Sequence, residues 1–392
     1  MSVSRRSFFA RAGAIAAAQG LILSAQEKKA LVDPGAVPQD PRMGTADAAK
    51  NFKYSDQRSK VALIKGDNRR KDVFQALVAI DDQIMPKLKT KKYVIIKPNG
   101  VDPGRTIVST QIDAVHGILD YLAPRFKGPV MMVEVTGEPA KVVASKYGWD
   151  KVFAEHKPLN VSFEVPNEDQ SKYKLLHAID YDMHLIPIRM AARMVDPDAF
   201  VISASMMKTH NMAVATMTIK NMVLGAPMTP APGVKAPWAA SEKRKFHVGI
   251  RASNYNLYLG AQFMSHNWGV GLVDGFEGME GNGPVSGTPV PHRIVLASTD
   301  FLAADRVGLE CMGIDAGWPG YPNYASEGGL GQYDLAKIDV VGGTQIADVK
   351  RKYRLHADVD RMLEWRGPMQ DLPGNLGYNR PELEAPESYF NV

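Results

Sequence analysis

Lys208-Thr209-His210 is followed by Lys220-Asn221, and Ile96-Lys97-Pro98-Asn99 stands far upstream. Ammonium groups neutralise substrate charge or steady a developing oxyanion, and an imidazole titrating near neutral pH is a natural proton carrier. Lys97, Lys208, Lys220 and His210 are therefore the expected catalytic residues, with Asn99, Thr209, Asn221, Asp274 and Asn282 expected to bind a small-molecule substrate. Glu280, Asp300 and Asp305 are expected to hold a divalent metal of unspecified identity or to orient the lysines. Asp300 also reads as a helix N-cap, whereas Asp305 falls inside an apolar helical start, where an acid needs a specific reason. The competing structural reading is a lattice of internal ion pairs. In that case Lys208→Ala would leave a buried carboxylate unpaired, at a cost of about 3–5 kcal/mol.

These residues are far apart in the chain, so the fold must gather them. Short apolar runs at 60–64, 93–96, 130–135, 200–203, 269–273, 294–297 and 338–341 alternate with helical stripes such as Val73/Leu77/Ile80 and Ile112/Val115/Leu119/Leu122. That alternation predicts an α/β fold with a largely parallel, Rossmann-like sheet flanked by helices. Residues 160–190 are less regular, with strands expected at 161–165 and 184–188, and predict a small irregular lobe. Pro227, Pro230, Pro232 and Pro237 make 225–240 a loop or lid. The α/β domain is placed at 60–345, with a division into two lobes near 200, and 346–392 forms a C-terminal extension with one helix around 359–365.

Ligands of open α/β sheets sit beyond the carboxyl ends of the strands. Lys97-Pro98-Asn99, Glu134, Lys208-Thr209-His210, Asp274 and Asp300 each close or follow a strand run, which predicts that they meet along one rim. A helix over 213–224 would put Met217, Lys220, Asn221 and Leu224 on one face. The stretch Asp274 to Pro284 holds three acids and four glycines and predicts a loop able to bring backbone amides or carboxylates to a ligand. Met207, Met212, Met217 and Met222 recur every five residues near His210. That spacing misses the helical repeat, and core filling is favoured over a cuprous site.

The 47 Lys+Arg and 42 Asp+Glu leave a net charge of +5, of which Arg5, Arg6 and Arg11 supply three, so 5 − 3 = +2 falls on the rest of the chain. Nucleic-acid binding is not expected from so small a balance. The only cysteine is Cys311, which excludes an internal disulfide, a four-cysteine zinc site and a protein-ligated iron–sulfur cluster. Ser4-Arg5-Arg6-Ser7-Phe8-Phe9, a short apolar stretch from Ala12 to Leu23 and small residues at Ser24-Ala25 resemble a twin-arginine export signal over 1–25. The stretch is too short to cross roughly 30 Å of hydrocarbon comfortably, so no permanent membrane span is expected. Residues 26–59 read as an extended linker or arm. The resemblance implies the twin-arginine translocase as a partner and the periplasm or outer cell face as destination, where nucleotide-coupled chemistry is disfavoured.

The motifs Ile96-Lys97-Pro98-Asn99, Lys208-Thr209-His210, Lys220-Asn221 with Gly225, Val273-Asp274-Gly275, Met279-Glu280-Gly281-Asn282-Gly283-Pro284 with Gly287, Ala297-Ser298 with Asp300 and Asp305, and Gly329-Leu330-Gly331 together resemble the family catalogued as domain of unknown function 362. The resemblance runs from about Lys60 to Gly343. Many members carry an appended ferredoxin-like cysteine region, which this chain lacks, so electron transfer is not implied for it. The family supplies motif positions and no substrate. The resulting expectation is an exported enzyme performing metal-assisted acid/base chemistry of hydrolase, lyase or isomerase type on a small anionic or oxygenated substrate. The alternative is a periplasmic ligand- or metal-binding protein without turnover.

Overall fold

The structure is a computed structural model that describes residues 57–366. The export-signal motif, most of the expected linker and the chain beyond 366 lie outside the described residues.

Among the described residues twelve strands appear in chain order: β1 (Ser59–Lys65), β2 (Tyr93–Pro98), β3 (Val130–Val133), β4 (Val161–Glu164), β5 (Tyr173–Ile179), β6 (Leu185–Ala191), β7 (Ala199–His210), β8 (Val214–Thr216), β9 (Trp268–Glu280), β10 (Thr288–Val290), β11 (Ile294–Ser298) and β12 (Ile338–Val341). Ten form one sheet in the order β12-β1-β11-β9-β7-β2-β3-β4, with β8 added to β7 and β10 to β9. β4, β3, β2, β7 and β9 run parallel, while β11 is antiparallel to both β9 and β1. The expected α/β fold with a mostly parallel sheet is what the chain adopts. β5 and β6 pair as a separate hairpin, within the region expected to be irregular.

Period-two alternation explains how the sheet divides its side chains. Ile95, Val201 and Val273 enter one apolar core, and Val94, Ile96, Ile202 and Leu272 enter the other. All twelve residues of β7 are buried, as a central strand covered on both faces must be. β7 starts at Ala199 and sits between β2 and β9, so the main sheet is continuous across position 200. Helices α1 (Arg69–Val78) and α2 (Ile112–Leu122) cover the second face through Val73, Leu77, Val115 and Leu119. Helices α3 (Thr218–Leu224), α4 (Ile250–Met264) and α5 (Phe301–Cys311) cover the first through Met222, Leu257 and Val307.

This arrangement creates a topological switch. β2 leads into α2 on one face and its parallel neighbour β7 leads into α3 on the other, so the chain diverges at their carboxyl ends and leaves room for a ligand. Three local expectations are corrected here. The strand after Ala199 continues through Lys208 to His210, because residues 214–216 fold back onto it as β8. That hairpin consumes the first part of the helix expected over 213–224, which starts only at Thr218. The Gly-rich stretch after Asp274 is β-strand as far as Glu280, held between β7 and β10, rather than a loop.

Candidate functional site at the β2/β7 switch

The side chains at the switch point are mostly cationic and buried. Lys97 and Lys208 are 1% exposed, and Lys220 and His210 are 5% exposed. Lys97, at the end of β2, donates through Nζ to Glu134 Oε2 at 2.8 Å and to the Pro98 carbonyl at 2.6 Å. Glu134 also accepts the Gly100 N–H at 3.0 Å. A Cβ at Gly225 would fall 2.2 Å from Lys97 Cε, so glycine is required for the lysine to pass. Asn221 on α3 donates to the Lys97 carbonyl and to Ser203 Oγ, and its Oδ1 accepts from Asn99 Nδ2 at 3.1 Å. Asn99 Oδ1 is buried without a hydrogen-bond partner, an exposed need that a ligand donor would meet.

Lys208 donates to the Val108 carbonyl at 2.9 Å in the connection that follows β2. Burial brings its ammonium down to about 7. Lys220 is pushed well below the ordinary lysine range by burial and by the like charges of Lys208 and Lys243. His210 Nδ1 accepts the Met212 N–H at 3.0 Å. Burial, with the adjacent Lys220 and Lys208, holds this imidazole well below its usual 6.5. With Nδ1 acting as acceptor, the single proton of the neutral ring resides on Nε2.

Burial thus leaves His210 neutral with its proton on Nε2 and brings Lys208 down to about 7. The ion-pair reading is corrected as well: the lysine facing a carboxylate is Lys97, while Lys208 meets a carbonyl oxygen. Lys243 and His247 complete the wall. Lys243 donates to the Val135 carbonyl at 3.1 Å, and burial lowers its ammonium. Lys243 is half-buried and His247 solvent-exposed, so the cluster reaches the surface on this side. Buried His356, from the C-terminal extension, adds to the field at His210.

Sequence reasoning missed Lys243 because Glu242-Lys243-Arg244-Lys245 reads as a solvated charge run, and no local signal separates its one inward lysine. His247 lies just before α4.

The remaining expected residues serve the frame. Thr209 Oγ1 donates to the Gly281 carbonyl at 2.8 Å and Asn282 Oδ1 accepts the Ala357 N–H, joining β7 to the turn after β9 and to the C-terminal extension. Met207, Met212, Met217 and Met222 are buried core residues, as the core-filling reading requires. Asp274 points to the opposite sheet face from Lys97, because it follows Val273 in the strict alternation of β9. It pairs there with Arg69 at 3.0 Å, beside a separate hollow of about 380 Å³ lined in part by Arg69, Arg70, Phe276 and Arg293. Two of those guanidinium groups are already answered, Arg69 by Asp274 and Arg70 by Asp120.

The three expected metal ligands do not converge. Glu280 accepts the Arg354 N–H. Asp300 caps α5 at Ala303 N and also accepts Ser59 Oγ and Gln332 N. Asp305 accepts Thr218 N and Oγ1, Ile219 N and Tyr321 OH, and so anchors the start of α3. Each carboxylate is consumed by a different part of the frame, and no group of three His, Cys, Asp or Glu suited to a metal ion occurs among the described residues. The expected trio therefore does not fit a shared metal.

Fold and site thus define an α/β protein with a buried lysine and histidine cluster at a switch point of its sheet. The chain belongs to the family described as domain of unknown function 362, whose family model matches residues 94–310. The chain is 25% identical over 228 residues to a thylakoid-associated protein of Synechocystis, an alignment covering 57% of this chain and 63% of that one. A crystal structure of a protein from Thermotoga maritima aligns at a TM-score of 0.39 and 10% identity over 68% of this chain and 60% of that one, too slight a likeness to argue from.

Proposed function

We propose that the chain is an exported enzyme that performs acid/base chemistry on a small anionic substrate at the β2/β7 switch. Lys208 carries the proton, His210 Nε2–H donates to a developing oxyanion, and Lys97, Lys220 and Lys243 supply the positive field. What supports this reading is one observation: Lys220 is buried within the field of Lys208 and Lys243, Lys243 lies within that of Lys97, and the one carboxylate near them, Glu134, is closed on Lys97. Uncompensated buried cations are costly to maintain, and an anionic ligand removes that cost. Substrate negative charge also raises the lysines toward their ordinary range, so binding itself loads the proton that Lys208 then delivers.

The test is exchange of substrate carbon-bound hydrogen with deuterated water, followed by NMR across a panel of small hydroxy, oxo and amino acids. Exchange that disappears in Lys208→Gln is expected. Binding of panel members with no exchange or other conversion would favour a carrier. Export rests on Arg5 and Arg6, and lysine at both positions should retain the precursor inside the cell. The Synechocystis relative is named for association with a membrane system; in this chain no described helix is long and apolar enough to cross a membrane.

A further inference from the structure

The β5–β6 hairpin carries a concentration of apolar surface that its own packing does not use. Ten large apolar side chains stand exposed among the described residues, and five of them lie between Tyr173 and Leu185. The three most exposed are Tyr181 at 78%, Leu185 at 71% and Met183 at 67%, and none of these belongs to either apolar core. Register explains the rest of the face. Leu176, Ala178, Ile188 and Met190 enter the first core, so the alternation of paired strands sends Leu175 and Pro187 outward. Asp180 fixes the turn by accepting the N–H groups of Asp182 at 2.9 Å and His184 at 2.8 Å. Met183 there adopts a φ of +66°, a left-handed backbone that side chains resist. The tip is thus a shaped turn that presents Tyr181 and Met183 to the outside. Scattered exposed apolar residues are ordinary, but a patch of them marks a contact surface.

Size and charge decide what the contact is. A stable protein interface buries on the order of 1,200 Å² or more, and a turn with one narrow strand face offers little toward that. Cations stand behind the tip. On the hairpin and the turn Glu242–Phe246 beside β6, the cations Lys172, Lys174, Arg189, Arg244 and Lys245 outnumber the acids Asp180, Asp182 and Glu242. The balance is 5 − 3 = +2 with the inward Lys243 left aside. Lys245 donates to the Pro187 carbonyl at 2.7 Å and Arg189 pairs with Glu242 at 3.0 Å, which ties this basic segment to the hairpin. An apolar tip backed by a basic collar follows the order in which an anionic bilayer presents hydrocarbon and then phosphate.

We propose that the β5–β6 hairpin is a peripheral membrane anchor, with Tyr181, Met183 and Leu185 entering the interface of an anionic bilayer and the cations at the hairpin base meeting lipid phosphates. Such a contact needs no spanning helix and does not depend on the chemistry of the lysine cluster.

The experiment mixes the full-length chain with vesicles of phosphatidylcholine, alone or with phosphatidylglycerol, and reads the bound fraction by flotation. Binding at least about tenfold tighter to the anionic vesicles, and weakened by salt, is expected. A Tyr181→Ser/Met183→Ser/Leu185→Ser variant should bind those vesicles about tenfold more weakly at an unchanged thermal midpoint. Both proteins carry the same N-terminal segment, so the difference reports on the hairpin. A dye placed on Met183→Cys localises the contact, because Cys311 is buried, and its emission should shift to the blue on anionic vesicles. Equal binding by wild type and triple variant, or no shift at position 183, overturns the proposal. Self-association lost in the triple variant, without vesicle binding, overturns it in favour of a contact between two copies.

Discussion

Two buried ionisable centres meet on the same short helix, and they are built in opposite ways. At the start of α3, Asp305 is wrapped by two backbone N–H groups and two hydroxyls, four donors for one carboxylate. Two residues into the helix, Lys220 is 5% exposed and meets the like charges of Lys208 and Lys243, which with burial push its ammonium well below the ordinary range. Burial is common to both, but only the first is satisfied by its own protein. A satisfied buried charge is architecture, and an unsatisfied one marks where a ligand completes the structure.

The comparison is broken most decisively at Asp305. Replacing it by alanine strips Thr218 N, Ile219 N and Tyr321 OH of their acceptor, and is expected to cost about 4 kcal/mol in urea unfolding. A loss within about 0.5 kcal/mol would show that the anchor is dispensable. Next in size is Lys97→Met, which leaves Glu134 enclosed without its cation and should cost about 3 kcal/mol. Lys220→Met should by contrast be neutral or stabilising by about 1 kcal/mol, since it removes a buried amine set among like charges. Equal losses at the two lysines would erase the distinction between them. Sulfate sharpens the same contrast from the ligand side. At roughly 100 times its Kd it should stabilise the wild type by about 2.7 kcal/mol and leave a Lys208→Gln/Lys220→Met double variant unchanged. Equal stabilisation of both proteins would place the anion elsewhere.

Much of this was legible in the sequence, for definable reasons. Apolar runs and helical stripes carry the α/β fold, because a central parallel sheet requires continuous burial. Lys97 and Lys208 were found as residues closing or following strands, and Asp305 as an acid with no business in an apolar helix. What the sequence does not carry is the direction in which a side chain leaves its strand once strands run longer than their apolar core. Asp274 belongs to the same strand-end pattern as Lys97 and yet faces the other side of the sheet, where Arg69 meets it. Glu280, Asp300 and Asp305 were expected to form one donor set, and each is taken up by a different part of the frame. Gly331 is there to let the chain approach Asp300, its Cβ position lying 2.3 Å from Asp300 Oδ1, which is a packing requirement. The protonation roles of Lys208 and His210 depend on burial and on the Met212 N–H, neither of which residue type or spacing reveals.

The slope of stability against pH separates the two centres by sign. Burial pushes Asp305 from 3.8 up to about 7. Between these values the folded protein keeps a proton that the unfolded chain has released, so its contribution to stability is whole below about pH 4 and disappears as pH rises toward 7. Burial brings Lys208 from 10.5 down to about 7. Between those values the unfolded chain holds a proton that the folded protein lacks, and stability rises with pH across that window. Lys220 and Lys243 shift in the same direction and steepen the alkaline limb. Each proton is worth about 1.4 kcal/mol per pH unit. Urea unfolding across pH 4 to 10 should therefore give a falling limb flattened by Asp305→Asn but not by Lys208→Met, and a rising limb reduced by Lys208→Met but not by Asp305→Asn. If Lys208→Met leaves the rising limb intact, its ammonium keeps its proton in the folded protein, and the proton-carrying role proposed for Lys208 falls.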